Sequence, residues 1–240
     1  MMQRHVQTLE RLLHPRARIV GISGSVIAVE KPHNVLCHPN TNDKELQDRS
    51  KHKPLLGLGT HYDFNNESFS LDEGPLFLLH RLDLGTSGVL LLASDEKEAQ
   101  HVKKMFRMRR VEKTYSARVF TPLDPPVAGQ VWVDTLTLGR NGADRNVRAE
   151  TLVEAVSLSA DLKTAVLRLK PRTGYTHQLR IQAAKRNLPI VGDEIHGDWI
   201  RNSALSKRRL LLHASTISYL PLSSNSRVTF SSPVPDLLLA

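Results

Sequence analysis

The stretch His80-Arg81-Leu82-Asp83-Leu84-Gly85-Thr86-Ser87-Gly88 decides how this chain is read. It sets one carboxylate between a cation and a run of small turn-formers. An apolar strand, Val89-Leu90-Leu91-Leu92-Ala93, follows at once. A carboxylate beside apolar sequence is costly unless it is paired. Asp83 is therefore a candidate reactive group rather than ordinary surface.

Upstream, Ile19 to Glu30 is β-like, centred on Val26-Ile27-Ala28-Val29, and Val35-Leu36-Cys37 resumes as a strand after a Lys-Pro-His-Asn turn. Val6, Leu9, Leu12 and Leu13 fall at helical spacing before Pro15, which predicts a short N-terminal helix. From Pro39 to Gly74 the sequence is polar and irregular and is expected to be a long functional or mobile loop. Downstream, Asp95-Glu96-Lys97-Glu98 reads as a capping box opening a helix with Ala99, Val102 and Phe106 on its apolar face. Strands are expected at Thr114–Phe120, Val131–Leu138, Val147–Val156, Thr164–Leu169, Leu210–Tyr219 and Arg227–Phe230, and a helix over Thr176–Arg186. Many strands, few helices and no regular βαβ alternation point to an α+β fold with a mostly antiparallel sheet.

The chain has 240 residues, 40% of them hydrophobic, enough for one domain or one domain with two lobes. Thirty-three Lys and Arg stand against 24 Asp and Glu, a net charge of +9, which favours a polyanionic partner. The charge is clustered: Lys103, Lys104, Arg107, Arg109, Arg110, Lys113 and Arg118 in one span, Arg140, Arg145 and Arg148 in a second, Lys207, Arg208 and Arg209 in a third. Such patches can follow a phosphate backbone, although a charge run is most often a solvated face. A single cysteine, Cys37, rules out an internal disulfide and fits a reducing compartment. No apolar run approaches the roughly 18–20 residues needed to span a membrane. Met1 to Arg18 lacks the apolar core of a secretory signal, so a cytoplasmic location is expected, with organelle targeting left open. Gly21, Gly24, Gly57 and Gly59 make no dinucleotide or phosphate loop. His33, Cys37 and His38 match no zinc spacing, so neither metal nor cofactor is expected. Ser87 lies in no nucleophile elbow.

Four segments are more polar than structure alone requires: Glu30-Lys31-Pro32, the Asp83 loop, Lys113-Thr114-Tyr115, and Thr173-Gly174-Tyr175-Thr176-His177-Gln178-Leu179-Arg180. In the last, Leu179 and Ala183 can face a core, while His177 and Arg180, three apart, share another side. Taken singly, Arg180 reads as a surface helix charge, Tyr115 as a strand aromatic and His80 as a structural histidine.

Together these segments resemble the RluA type of pseudouridine synthases, from about Val26 to Pro233. The resemblance rests on His80-Arg81-Leu82-Asp83-x-x-Thr86-Ser87-Gly88, with support from Ala28-Val29-Glu30-Lys31-Pro32, Lys113-Thr114-Tyr115, Thr173-Gly174-x-Thr176-His177-Gln178-Leu179-Arg180, Pro189-Ile190-Val191-Gly192-Asp193 and Leu211-Leu212-His213-Ala214. It implies a pseudouridine synthase fold: a central mixed, mostly antiparallel sheet in two lobes with flanking helices and an active-site cleft. Residues 1–18 would be an N-terminal helix or extension and 19–240 the catalytic domain, with no separate N-terminal RNA-binding domain. The implied reaction isomerises uridine in rRNA or tRNA to its C-glycoside, without cofactor or metal, by a monomer acting on structured RNA.

The resemblance also assigns roles. Asp83 is the catalytic aspartate; whether it attacks the sugar carbon or the base, or takes a sugar proton, stays open. Arg180 is the cation that keeps it ionised, and Tyr115 lies against the target base. His80, Arg81, Thr86, Lys103, Lys104, Arg107, Lys113, Tyr175, His177 and Gln178 are expected to bind RNA, Arg81 by filling the gap a flipped nucleotide leaves. Three positions depart from the family pattern: Tyr175 where Arg is usual, His196 where Tyr is common, and Asn34 where many members have Gly. Two rival readings are a catalytically silent RNA-binding paralogue and a glycoside hydrolase with paired carboxylates, for which Asp193 and Glu194 are the nearest partners.

Overall fold

The computed structural model describes residues 2–57, 60–121, 127–140, 143–160, 163–204 and 209–239, without the side chains of Arg140 and Ala143. The first half of the chain runs α1 (Met2–Leu12), β1 (Arg18–Ser23), β2 (Val26–Lys31), α2 (Lys44–Arg49), β3 (Tyr62–Asp63), β4 (Ser68–Leu71), β5 (Gly74–Leu78), β6 (Ser87–Ala93) and α3 (Glu96–Arg107). The second half runs β7 (Glu112–Phe120), β8 (Val131–Arg140), β9 (Ala143–Leu158), β10 (Thr164–Pro171), α4 (Gln178–Ala184), α5 (Trp199–Ser203), β11 (Leu212–Tyr219), β12 (Val228–Ser231) and α6 (Asp236–Leu239). The described ladders are antiparallel, as expected for this α+β chain. The chain divides into two compact units: residues 1–111 with 216–233, and residues 112–215 with 234–240.

In the first unit β3, β4, β5 and β6 pair in sequence, β2 lies on the other side of β6, and β1 on β2. β6 is buried along its whole length. Val89, Leu91 and Ala93 pack with Ala99, Val102 and Met105 of α3. Leu90 and Leu92 point the other way, into a core with Leu9 of α1, Val35, Leu55, Tyr62 and Phe69. The alternation of side chains across a strand explains why this segment reads as an unbroken apolar run: both faces are covered. β2 repeats the pattern, with Val26 and Ala28 on one side and Ile27 and Val29 on the other.

Two expectations for this unit fail. The 39–74 stretch is not irregular, because it holds α2, β3 and β4. Asp43 caps α2, its carboxylate accepting from the Glu45 and Leu46 amides at 2.9 and 3.1 Å. Asn42 ties the segment to β3, donating to the Tyr62 carbonyl and accepting from the Tyr62 amide, both at 2.9 Å. Residues 35–37 form no strand; Leu36 makes an isolated bridge to Pro54, and the groups that would extend it, the Leu55 carbonyl and the Gly57 amide, bond instead to the His14 amide and the Leu12 carbonyl.

In the second unit the order is β7, β10, β9, β8. Leu179 and Ala183 of α4 pack on Ala117 and Val119 of β7 and on Leu167 and Leu169 of β10. The helix is shorter than expected. His177 is its N-cap at φ 55, a left-handed backbone, so His177 and Arg180 do not share a helical face.

Candidate active site

Each unit carries part of the expected site. In the first, the Asp83 turn closes by the Thr86 amide donating to the Asp83 carbonyl at 3.0 Å. The next carbonyl, Leu84, accepts twice: from the Asn34 amide at 2.8 Å and from Lys31 Nζ at 3.1 Å. Lys31 is completely buried, and its ammonium also donates to the carbonyls of Pro32 (2.9 Å) and Val35 (2.8 Å). Burial lowers its pKa to about 8, against the opposing influence of neighbouring Cys37 and Asp83. On the other side of Asp83, the Leu82 amide donates to Cys37 Sγ and the thiol donates to the Leu82 carbonyl, each at 3.3 Å. Burial pushes the Cys37 thiol up, with Lys31 the main opposing influence. Asp83, half-buried, is thus carried on a loop pinned at both neighbours by residues 31–37.

The other expected groups of this unit fall into two kinds. His80 accepts from the Leu91 amide through Nε2 at 3.2 Å and packs its ring 4.9 Å from Phe106, which fastens the loop to α3. Thr86 is buried. Arg81, Lys104 and Arg107 are exposed. Lys103 pairs with Glu67 at 3.0 Å and donates to the Asn66 carbonyl at 3.3 Å, so it ties α3 to the β3–β4 turn.

In the second unit the guanidinium of Arg180 is held by Asp193. Nε donates to Oδ2 at 2.7 Å and Nη2 to Oδ1 at 2.6 Å, with both side chains buried. Oδ1 also accepts the amides of Ile195 and His196 at 2.9 Å. Burial pushes the Asp193 carboxyl up, and the bonds from Arg180 and the two amides more than offset this, leaving it below the usual carboxylate range. His177 Nδ1 lies 2.9 Å from His196 Nε2, so the histidine at the family's tyrosine position is in hydrogen-bond contact with the helix cap.

Gln178 is buried in a network rather than presented outward. Its Oε1 accepts from Thr173 Oγ1 at 2.7 Å and from the Tyr175 amide at 3.2 Å, and its Nε2 donates to Thr151 Oγ1 at 3.0 Å. Tyr175 packs half-buried against Leu136, Val147 and Ala149. Tyr115, half-buried, pairs with Leu169 across β7 and β10. Lys113 donates to the Thr173 carbonyl at 3.4 Å, and burial lowers its pKa to about 8. Lys207 and Arg208 lie outside the described residues. Among the described residues no three His, Cys, Asp or Glu side chains gather as for a metal, and no helix is long and apolar enough to cross a membrane.

Residues 25–185 match the family described as RNA pseudouridylate synthase. The chain belongs to that family. It is 31% identical to tRNA pseudouridine synthase C of Vibrio cholerae over 213 residues, which cover 81% of this chain and 82% of that one. It is 35% identical to the mitochondrial pseudouridylate synthase RPUSD4 of Rattus norvegicus over 198 residues, 69% of this chain and 52% of the relative. An uncharacterized RNA pseudouridine synthase of Mycoplasma pneumoniae is 27% identical, with 85% of this chain and 62% of the relative covered. The chain thus spans between half and two thirds of the length of these last two relatives. The fold matches human RNA pseudouridylate synthase domain containing 4 at a TM-score of 0.66 and 22% identity, over 98% of this chain and 93% of that one.

Lys31 and Asp193 lie in segments the sequence singles out but were given no role beside Asp83 or Arg180, and Cys37 was not expected at the site at all. The signal for Lys31 is present in the sequence, a lysine closing an otherwise buried strand. Asp193 lies 13 positions from its arginine in a separate motif, and nothing in the spacing announces the pair.

Proposed function

We propose that this protein is an RNA pseudouridine synthase that isomerises uridine in rRNA or tRNA, with Asp83 as the catalytic carboxylate. The observation that carries the reading is the Asp83 loop: a half-buried carboxylate on a turn pinned through Cys37, Asn34 and a buried lysine. A loop fixed at both neighbours holds a reacting group in place at no further entropic cost when substrate binds. Family membership supplies the reaction class. The reaction breaks the N-glycosidic bond, turns the uracil and joins C5 to the sugar, with no group imported. Tyr115 and Arg180 are assigned to act with Asp83, the first against the base and the second, oriented by Asp193, as a cationic partner. Exposed Arg81, Lys104 and Arg107, with a net charge of +9, suit a polyanionic substrate. The test is pseudouridine mapping of rRNA and tRNA from cells with and without the gene. Sites that vanish in its absence and return with the wild-type gene support the proposal; an unchanged map counts against it.

A further inference from the structure

The segment from residue 38 to 71 carries an aromatic group that the reaction itself does not use. His38 stacks on Tyr62 with the rings 4.6 Å apart and 5° from parallel. Phe64 stands edge-on to both, 5.1 Å from Tyr62 and 5.9 Å from His38. Phe69 closes the far side of Tyr62 at 4.9 Å. Tyr62 and Phe69 are buried and belong to the core, but Phe64 is 47% exposed and His38 is half-buried. Burying Phe64 would be favourable for the protein alone, and the fold leaves it out.

The place is as informative as the composition. His38 directly follows Cys37, whose thiol is bonded both ways to Leu82, the residue before Asp83. Exposed Arg81 is close enough to act electrostatically on the Tyr62 phenol. The turn bearing Phe64 is fixed from behind by the Lys103–Glu67 ion pair and the Lys103 bond to Asn66. An exposed aromatic on a turn tied to α3, in a ring cluster that reaches the field of Arg81 through Tyr62 and the Asp83 loop through His38 and Cys37, has the features of a nucleobase stacking site.

We infer that Phe64, with His38 and Tyr62 behind it, receives an unpaired nucleobase next to the uridine presented to Asp83. This rests on the RNA-modifying reading above and adds a selection rule to it: a uridine whose neighbour can leave the stack is preferred over one in continuous duplex. The cation at Arg81 suits the adjoining phosphate.

The test uses the full chain with a hairpin RNA carrying the target uridine and 2-aminopurine at successive loop positions, and the same sequence as a full duplex. Phe64→Leu keeps the apolar contact to Tyr62 and His38 but removes the aromatic face; Phe64→Tyr restores it. The expected result is that wild type prefers the hairpin and changes the 2-aminopurine fluorescence at one loop position. Phe64→Leu should lose that change and weaken hairpin binding by about tenfold with an unaltered melting temperature. Phe64→Tyr should behave as wild type. Equal binding and identical fluorescence in Phe64→Leu would overturn the inference. Wild type that forms no pseudouridine would overturn the enzymatic reading instead, and the fluorescence still decides the stacking.

Discussion

Arg180 and Asp193 meet edge to edge, two guanidinium N–H groups on two carboxylate oxygens at 2.7 and 2.6 Å, in a setting where both side chains are buried. A buried bidentate pair is costly to break from one side, because the remaining charge loses its partner without regaining water. Asp193→Ala should therefore destabilise the second unit by about 3–5 kcal/mol in chemical denaturation. The double variant Arg180→Met/Asp193→Leu should recover part of the loss. No recovery would mean that the Ile195 and His196 amides, not the ion pair, carry the effect.

The same pair sets an acid response. The Asp193 carboxyl is held below its ordinary value in the fold, so the unfolded chain binds the proton first as pH falls. Its contribution is complete above the usual carboxylate range, near pH 4, and fades as pH drops through the lowered value. Wild type should lose more stability than Asp193→Asn as pH falls below about 4. Parallel curves would contradict the depressed value.

Lys31 gives an alkaline window of the same sign. Its pKa falls from 10.5 to about 8 in the fold, so between those values the unfolded chain carries the extra proton and stability rises with pH. The stability of wild type relative to Lys31→Met should stay flat below pH 8 and increase from there to pH 10.5. At neutral pH, Lys31→Met removes the ammonium from the carbonyls of Pro32, Val35 and Leu84, of which Leu84 keeps the Asn34 amide, and should cost about 3 kcal/mol. It should also lower turnover by disturbing the Leu84 anchor beside Asp83.

Gly192 offers a steric test. Its φ is +76, and a Cβ there would lie 1.8 Å from the Arg209 carbonyl oxygen. Its amide also donates to Asn202 Oδ1 at 2.8 Å. Gly192→Ala should cost at least about 4 kcal/mol, or prevent soluble expression, by displacing the neighbouring Asp193 from Arg180. A variant with wild-type stability would show that residues 209–210 yield freely.

Exposed charges on α3 should govern salt dependence. Lys104→Ala/Arg107→Ala removes two exposed cations and should weaken RNA binding, reducing the slope of log K against log salt by roughly 0.7–0.9 for each phosphate no longer neutralised. Lys103→Ala, because Lys103 is paired with Glu67, should change the slope less. An unchanged slope in the double variant would place α3 away from the RNA.

Much of the fold was legible because its signals are local. Asp95 caps α3 by accepting from the Glu98 amide at 2.8 Å, as the capping box predicts. The other half of the box is absent: Glu98 turns instead to the Leu222 amide, a distant residue no local pattern names. Tyr115, Ala117 and Val119 alternate along β7 onto one core, while Ser116 and Phe120 on its other side are buried as well. Residues 35–37 looked like a strand by composition, but the bonds of Leu82 to Cys37 and of Leu84 to Asn34 bind that stretch to the Asp83 loop. His177 resembled a helix residue because a left-handed φ leaves no trace in sequence when the residue is not glycine. The aromatic group at His38, Tyr62 and Phe64 was hidden among polar residues, each ordinary alone and brought together by the β3–β4 hairpin.

The claim on which the account depends is that Asp83 carries the chemistry. The most direct measurement compares wild type and Asp83→Asn, purified as full chains, for pseudouridine formation in the RNA mapped in cells and for binding of that RNA. The account predicts that the variant binds the RNA with affinity within a few-fold of wild type and forms pseudouridine at least about a thousandfold more slowly. Pseudouridine formed by Asp83→Asn at the wild-type rate and position would contradict it.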